Sequence, residues 1–198
     1  GVKAVNREEA CLYAFNTLNA TMVEYTNQTI VIANGTVKTD KVAKDMENNA
    51  RTETIKDDNK MQFAEKYFTN LEKTATADDF GRPANEWTYK NTKIGTYVDY
   101  SLMVAEYTNG VSGKEVYNKV GKTAMDKYDV AAYVDGNDAS KTILPNVAKD
   151  NKDDLTGTDT GVLTQVFVND DEKEAVVTEI NTYLGIADSD YSAKKDEA

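Results

Sequence analysis

The amino-acid sequence predicts an α+β fold in which short capped helices pack on antiparallel β-hairpins, arranged as two small subdomains. Three observations predict it. Capping boxes at Asn6/Glu9 and Ser112/Glu115 each precede a short run of apolar residues at helical spacing. Pairs of β-branched and aromatic runs flank turn residues at Asn34-Gly35, at 90–93, at Asp135-Gly136 and at 169–174. These units follow one another irregularly, with no repeat of solenoid length.

In order along the chain, Asn6 caps a helix in which Cys11, Ala14, Phe15, Leu18 and Met22 form one apolar stripe over about four turns. Cys11 reads as a small buried hydrophobe in that stripe. Residues 29–37 read as a hairpin turning at Asn34-Gly35, and the polar residues 38–60 as a surface excursion. Asn59 with Gln62 then caps a second helix, with Met61, Ala64, Phe68 and Leu71 on its inner face. Residues 78–98 hold the only Trp, Trp87, and one of the two prolines, Pro83. Phe80-Gly81-Arg82-Pro83 is a turn, and 87–89 and 94–98 are the strands of a hairpin.

A seam at 99–101 divides a helix-plus-hairpin half, 1–100, from an α+β half, 101–198, that ends in a β-hairpin and a charged tail. In the second half a strand covers 102–107, and the helix capped by Ser112 stops at Gly121. Tyr128, Val130, Ala132 and Val134 alternate on one face of a strand before Asp135-Gly136. Residues 140–148 form a helical turn interrupted at Pro145. A hairpin of 162–168 with 175–184 closes the fold. Its second strand is expected to bury Val176, Thr178, Ile180, Thr182 and Leu184 and to leave Glu179 and Asn181 wet.

Composition narrows the function. The chain of 198 residues carries a net charge of −11 with an isoelectric point near 4.6. Nucleic-acid binding needs a basic face that displaces counterions, so that class is excluded. With no histidine, the commonest general base and transition-metal ligand is missing, and so is any Ser-His or Cys-His nucleophile pair. The single cysteine precludes an intrachain disulfide and a Cys-rich zinc site. No apolar run has the length of a membrane span, so membrane insertion is not expected.

No residue is assigned to catalysis or to a cofactor. Gly110 and Gly113 do not form a dinucleotide fingerprint, and no phosphate loop is present. Calcium stays open, because Asp150, Asp153, Asp154 and Asp159 lie in one oxygen-rich loop, although their spacing matches no EF-hand. Trp87, Tyr89 and Tyr97 read either as core and strand-surface aromatics or as a platform that stacks sugars. Carboxylates alone leave a wall-polymer hydrolase as a weaker alternative.

Val5-Asn6-Arg7-Glu8-Glu9-Ala10-Cys11-Leu12-Tyr13-Ala14 resembles the Thr-Arg-Ala-Glu segment and following helix of S-layer homology (SLH) repeats. Arg7 and Glu9 match that motif, while Asn6 stands for its Thr and Glu8 for its Ala. REEACLYAFNTL, MQFAEKYF, DDFGRPANEWTYK with IGTY, GVLTQVFV, INTYLG and the closing YSAKKDEA are similar to the region after the SLH repeats of bacterial surface proteins. The resemblance implies a non-enzymatic structural module on the outside of a bacterial cell, associated with the wall. Its implied partners are copies of itself, other surface proteins or cell-wall polysaccharide. A glycan-binding adhesin is the alternative.

Overall fold

The computed structural model describes residues 4–31, 37–49, 53–155 and 161–185. The fold is α+β, with sheets of two, three and five strands and a few short helices. The chain divides into two compact units. One contains 1–76 and Asn85–Tyr97; the other contains Ala77–Ala84 and 98–198.

In the first unit, helix α1 (Arg7–Leu18) opens on the capping box. Asn6 Oδ1 accepts from the Glu9 N–H at 2.7 Å, and the Asn6 N–H donates to Glu9 Oε2 at 3.0 Å. The helix ends at Leu18, so it has about three turns, and Met22 lies beyond it. None of its residues is buried. Cys11, expected inside, is exposed. The apolar stripe reaches the core only through its last turn, where Phe15 meets Trp87 edge-to-face at 5.5 Å and Leu18 packs on Ile55, Ala64, Leu71 and Trp87.

Strands β1 (Val23–Val31) and β2 (Val37–Asp45) form a two-stranded antiparallel ribbon of nine registered pairs, from Val23↔Asp45 to Val31↔Val37. The expected Asn34-Gly35 turn lies outside the described residues. The expected surface excursion is corrected in two respects: it begins as β2, and it contributes Ile55, 2% exposed, to the core. Backbone hydrogen bonds linking Met22, Met46 and Met61 tie the base of the ribbon. Helix α2 (Phe63–Tyr67) starts later than expected, after Gln62 rather than Asn59, because Asn59 adopts a left-handed φ of 56°. Leu71 is no longer helical but opens strand β3 (Leu71–Ala77). β4 (Pro83–Tyr89) and β5 (Thr92–Val98) complete a three-stranded sheet. The β4–β5 loop is tighter than the expected four residues: Lys90 and Asn91, at φ 50° and 61°, turn the chain.

In the second unit, a 3-10 turn at Tyr100–Leu102 leads into β6 (Met103–Tyr107). Helix α3 (Gly113–Val120) carries the Ser112/Glu115 capping box and ends at Gly121, and a further helix, α4 (Lys122–Lys127), follows at once. Then come β7 (Asp129–Val134), the two-residue β8 (Asn137–Asp138), α5 (Ser140–Ile143) and a 3-10 turn holding Pro145. The hairpin β9 (Val162–Asn169) and β10 (Glu174–Asn181) completes the sheet in the order β6-β9-β10-β7-β8. All pairs are antiparallel except β10–β7. β6 and β7 therefore run the same way, with the last hairpin inserted between them.

Register decides the faces. Ala105, Val166, Val177 and Ala132 lie in adjoining positions across four strands and form one core with Val116, Val120, Ala124 and Ile143 of α3, α4 and α5. The residues of β10 in this core are Ala175 and Val177, and Glu179 shares their side. The expected assignment of β10 holds only in part: Thr178 is buried on the other face, but Glu179, expected wet, is 6% exposed, and Thr182 and Leu184, expected inside, are exposed. That second face is not wet either, since Gln165, Phe167 and Thr178 are all buried.

The turn at Ala77–Ala84 is what packs there. Gly81 (φ +75°) lies against the Tyr133 ring, so an added Cβ would meet Cδ1 at 2.7 Å. Gly136 (φ +79°) lies against the carbonyl oxygen of Asp79. Gly136→Ala combines a strained φ with a backbone clash that no rotamer relieves. It should cost about 2–4 kcal/mol of stability, measured by urea denaturation. A cost under about 0.5 kcal/mol would mean the turn is not seated on the sheet.

Candidate functional site

The residues singled out in the sequence do not come together. Trp87 is 4% exposed, with the Phe15 ring against it, so its faces are core and not a stacking platform. Tyr89 and Tyr97, by contrast, are 41% and 51% exposed. Lys90 Nζ lies 5.4 Å from the Tyr89 ring centroid, and Tyr97 folds back over Gly95. Glu9 is engaged as the helix cap, and Arg7 is exposed at the first helical position.

Of the calcium candidates, Asp159 lies outside the described residues, and Asp150, Asp153 and Asp154 are exposed. Among the described residues no group of three His, Cys, Asp or Glu could hold a metal ion. The loop does other work through its backbone. Asp153 O accepts from the Gly113 N–H at 3.1 Å, Asn151 O accepts from Lys114, and Leu155 N–H donates to Val111 O. It satisfies donors at the start of α3.

Three polar constellations emerge that residue spacing did not reveal. The first closes the second face of the five-stranded sheet. Arg82 donates through Nε to Asp78 Oδ2 at 2.8 Å, and its terminal nitrogens reach Asp78 Oδ2 at 2.6 Å and Gln165 Oε1 at 3.2 Å. Gln165 Nε2 continues to Glu106 Oε2 at 2.7 Å. Asp78 also accepts from the backbone of Phe80 and Arg82, so the carboxylate shapes the turn and holds the guanidinium.

The second lies on the helix-covered face, where register aligns Tyr107, Thr164, Glu179 and Val134 across four strands. Thr164 Oγ1 and Glu179 Oε1 are buried with no hydrogen-bond partner among the described residues. Burial first, then the nearby Asp135 charge, pushes the Glu179 carboxyl above its usual pKa. Asp135 moves the other way. The Asn181 side chain, then the Asn181 N–H, hold it ionised at 2.8 Å each, and Tyr183 adds a third donor. Burial, reinforced by Glu115, raises Tyr107. A divergent carboxyl pair can serve as acid and base in catalysis, and here its raised member, Glu179, is 6% exposed.

The third is a carboxylate cage in the first unit. Glu65 Oε1 accepts from the Ile55 N–H at 3.1 Å, and Oε2 from Asn48 Nδ2 at 2.9 Å and the Gln62 N–H at 3.2 Å. Backbone and amide donors satisfy the oxygens of this buried side chain. A run of polar residues between weak apolar anchors was the available signal, and it points equally to a surface loop. No protein-family model, curated protein or solved structure matches the chain.

Arg82→Ala should destabilise the second unit by about 2–4 kcal/mol, because it strands the largely buried Asp78 and frees Gln165. Arg82→Lys should recover only part of this, since an ammonium cannot span both partners. Equal stability of all three proteins in urea would refute the role. For Glu179 the sign is as follows. A raised folded pKa means the native state holds the proton longer, so stability falls as pH rises from the unfolded value, near 4.5, through the folded one. Glu179→Gln should flatten that decline and leave the protein more stable than wild type at neutral pH; a parallel pH profile would show that the carboxyl titrates normally.

Proposed function

We propose that the chain is a non-enzymatic structural and interaction module of a bacterial surface protein, of the S-layer-like kind suggested by its sequence resemblance. It acts by presenting shape-complementary surface to copies of itself and to other surface proteins. The observation that carries this reading is the apolar exterior of the first unit. α1 and α2 lie against each other, and each turns large apolar side chains outward: Leu12, Tyr13 and Phe15 on one, Tyr67 and Phe68 on the other. A 12-residue helix with no buried residue gains little from its own unit. Helices this short depend on packing for their stability, and exposed apolar clusters mark association surfaces.

The acidity, −11 overall, complements this role by keeping separate copies soluble and by attracting divalent cations to the surface. Among the described residues no helix is long and apolar enough to cross a membrane. The exposed Tyr89 and Tyr97 leave the adhesin alternative two aromatics without its Trp.

The expected outcome is concentration-dependent self-association, seen by multi-angle light scattering and by electron microscopy of negatively stained samples, and enhanced by calcium. Monomers alone at the highest soluble concentration, with and without calcium, would sink the reading. Release of reducing ends from purified wall polymer would replace it with the hydrolase.

A further inference from the structure

We infer that the loop 53–59 of the first unit is a calcium site, in which the carboxylates of Glu53 and Asp57 hold one Ca2+ together with the amide oxygens of Asn48 and Gln62. The site belongs to a single copy of the chain and is independent of association. Two acids meet in this loop. The Asp57 carboxyl is in hydrogen-bond contact with that of Glu53; this contact, then burial, raises Glu53 above its usual pKa, while the Asn59 N–H acts the other way. Two carboxyls touch only where a proton or a cation lies between them. Asp58 shows the contrast: Lys56 Nζ lies 3.3 Å from it, and the Lys60 N–H and the Gln62 amide donate to it.

Orphan oxygens surround the same loop. Asn48 Oδ1, Glu53 Oε1 and Gln62 Oε1 are buried with no hydrogen-bond partner among the described residues. Asn48 and Gln62 are only 7% and 0% exposed. Their nitrogens are engaged, Asn48 Nδ2 with Glu65 Oε2 at 2.9 Å and Gln62 Nε2 with Asp58 Oδ1 at 3.0 Å, so only acceptor ends are left over. The backbone draws these residues together. Asn59, at φ 56°, accepts from the Asn48 N–H at 3.1 Å through its carbonyl and turns its own N–H to Glu53. The Gln62 N–H shares Glu65 Oε2 with Asn48, which makes Glu65 the positioning residue for both amides.

Chemistry then selects the ligand. Buried acceptors are costly unless a donor or a cation satisfies them. Two carboxylates and two amide oxygens, with no nitrogen or sulfur among them, suit a hard cation, and two positive charges offset the two acids. Ca2+ takes about six to eight oxygens in irregular geometry, neutral carbonyls included, whereas Mg2+ demands a regular octahedron and keeps several waters, so calcium fits the set better. No group of three acids meets here among the described residues. The site should therefore be weaker than one built on three or four carboxylates.

Calcium titrated into the chelator-treated full chain tests the site by isothermal calorimetry and by thermal melts followed through Trp87, which packs on Ile55 beside the loop. The wild type should bind one ion per chain and melt several degrees higher with calcium. Glu53→Gln with Asp57→Asn keeps the shape and removes both charges. It should bind calcium roughly tenfold or more weakly, lose the calcium-dependent rise, and without calcium melt at or above the wild-type temperature, because the two acids no longer repel. Asp150→Asn with Asp153→Asn, which removes two exposed acids elsewhere and changes the net charge equally, should keep the wild-type response. A wild type without calcium heat or melting shift would overturn the site, as would an equal response to magnesium or one that the Glu53/Asp57 variant retains. A Glu53/Asp57 variant that melts well below wild type without calcium would also overturn it and assign the contact to a proton shared between the acids.

Discussion

The pairing of Arg82 with Asp78 and Gln165 is the interaction on which the second unit depends. Its sheet has two buried faces. Helices α3, α4 and α5 cover one, and the turn at Ala77–Ala84 packs on the other. A turn is too short to do this by apolar area alone. It is held instead by a guanidinium that spans a carboxylate within the turn and an amide on the central strand β9. Buried charge costs several kcal/mol unless each member is satisfied, so the network is worthwhile only as a whole. Gly81 and Gly136 belong to the same arrangement, because a side chain at either would separate turn from sheet.

The two units handle buried acid in opposite ways. Glu65 accepts hydrogen bonds from Ile55, Gln62 and Asn48, which tie three separate segments together beside a small apolar core of Ile55, Ala64, Leu71 and Trp87. Glu179 has no such donors on Oε1, and the neighbouring ionised Asp135 opposes a second charge. The acid of the first unit is thus satisfied by hydrogen bonds, while burial pushes that of the second above its usual pKa. The first unit's core is also too small to take in the apolar residues of α1. Leu12 and Tyr13 therefore remain outside.

Much of the architecture was legible locally. Capping boxes located the starts of α1 and α3, and Asp135-Gly136 located the β7–β8 turn. The hairpin β9–β10 was evident from two β-branched runs across an acidic loop. These signals operate within a few residues, where side chain and backbone meet directly. What failed depended on distant partners. The stripe of α1 correctly marks the side bearing Phe15 and Leu18, yet periodicity cannot say how far a core extends, so Cys11 was placed inside when it lies outside. In β10 both parities hold apolar residues, Ala175 and Val177 on one side, Val176 and Ile180 on the other, and strand alternation alone cannot tell which side the helices occupy. β2 and β3 were hidden because their edge-like composition, charged or small and polar, resembles a loop.

By itself the sequence determined the chemical character of the protein: acidic, built of short capped helices and hairpins, and without histidine, so without a histidine-based site. Those properties follow from residue identity and near-neighbour spacing. Only the tertiary structure decided which polar groups are buried together, that Trp87 is core while Tyr89 and Tyr97 face water, and that Arg82 meets Gln165 across 83 positions of sequence. The physical reason is that burial and hydrogen-bond partnership belong to pairs of residues brought together by the fold, and spacing along the chain carries no record of them.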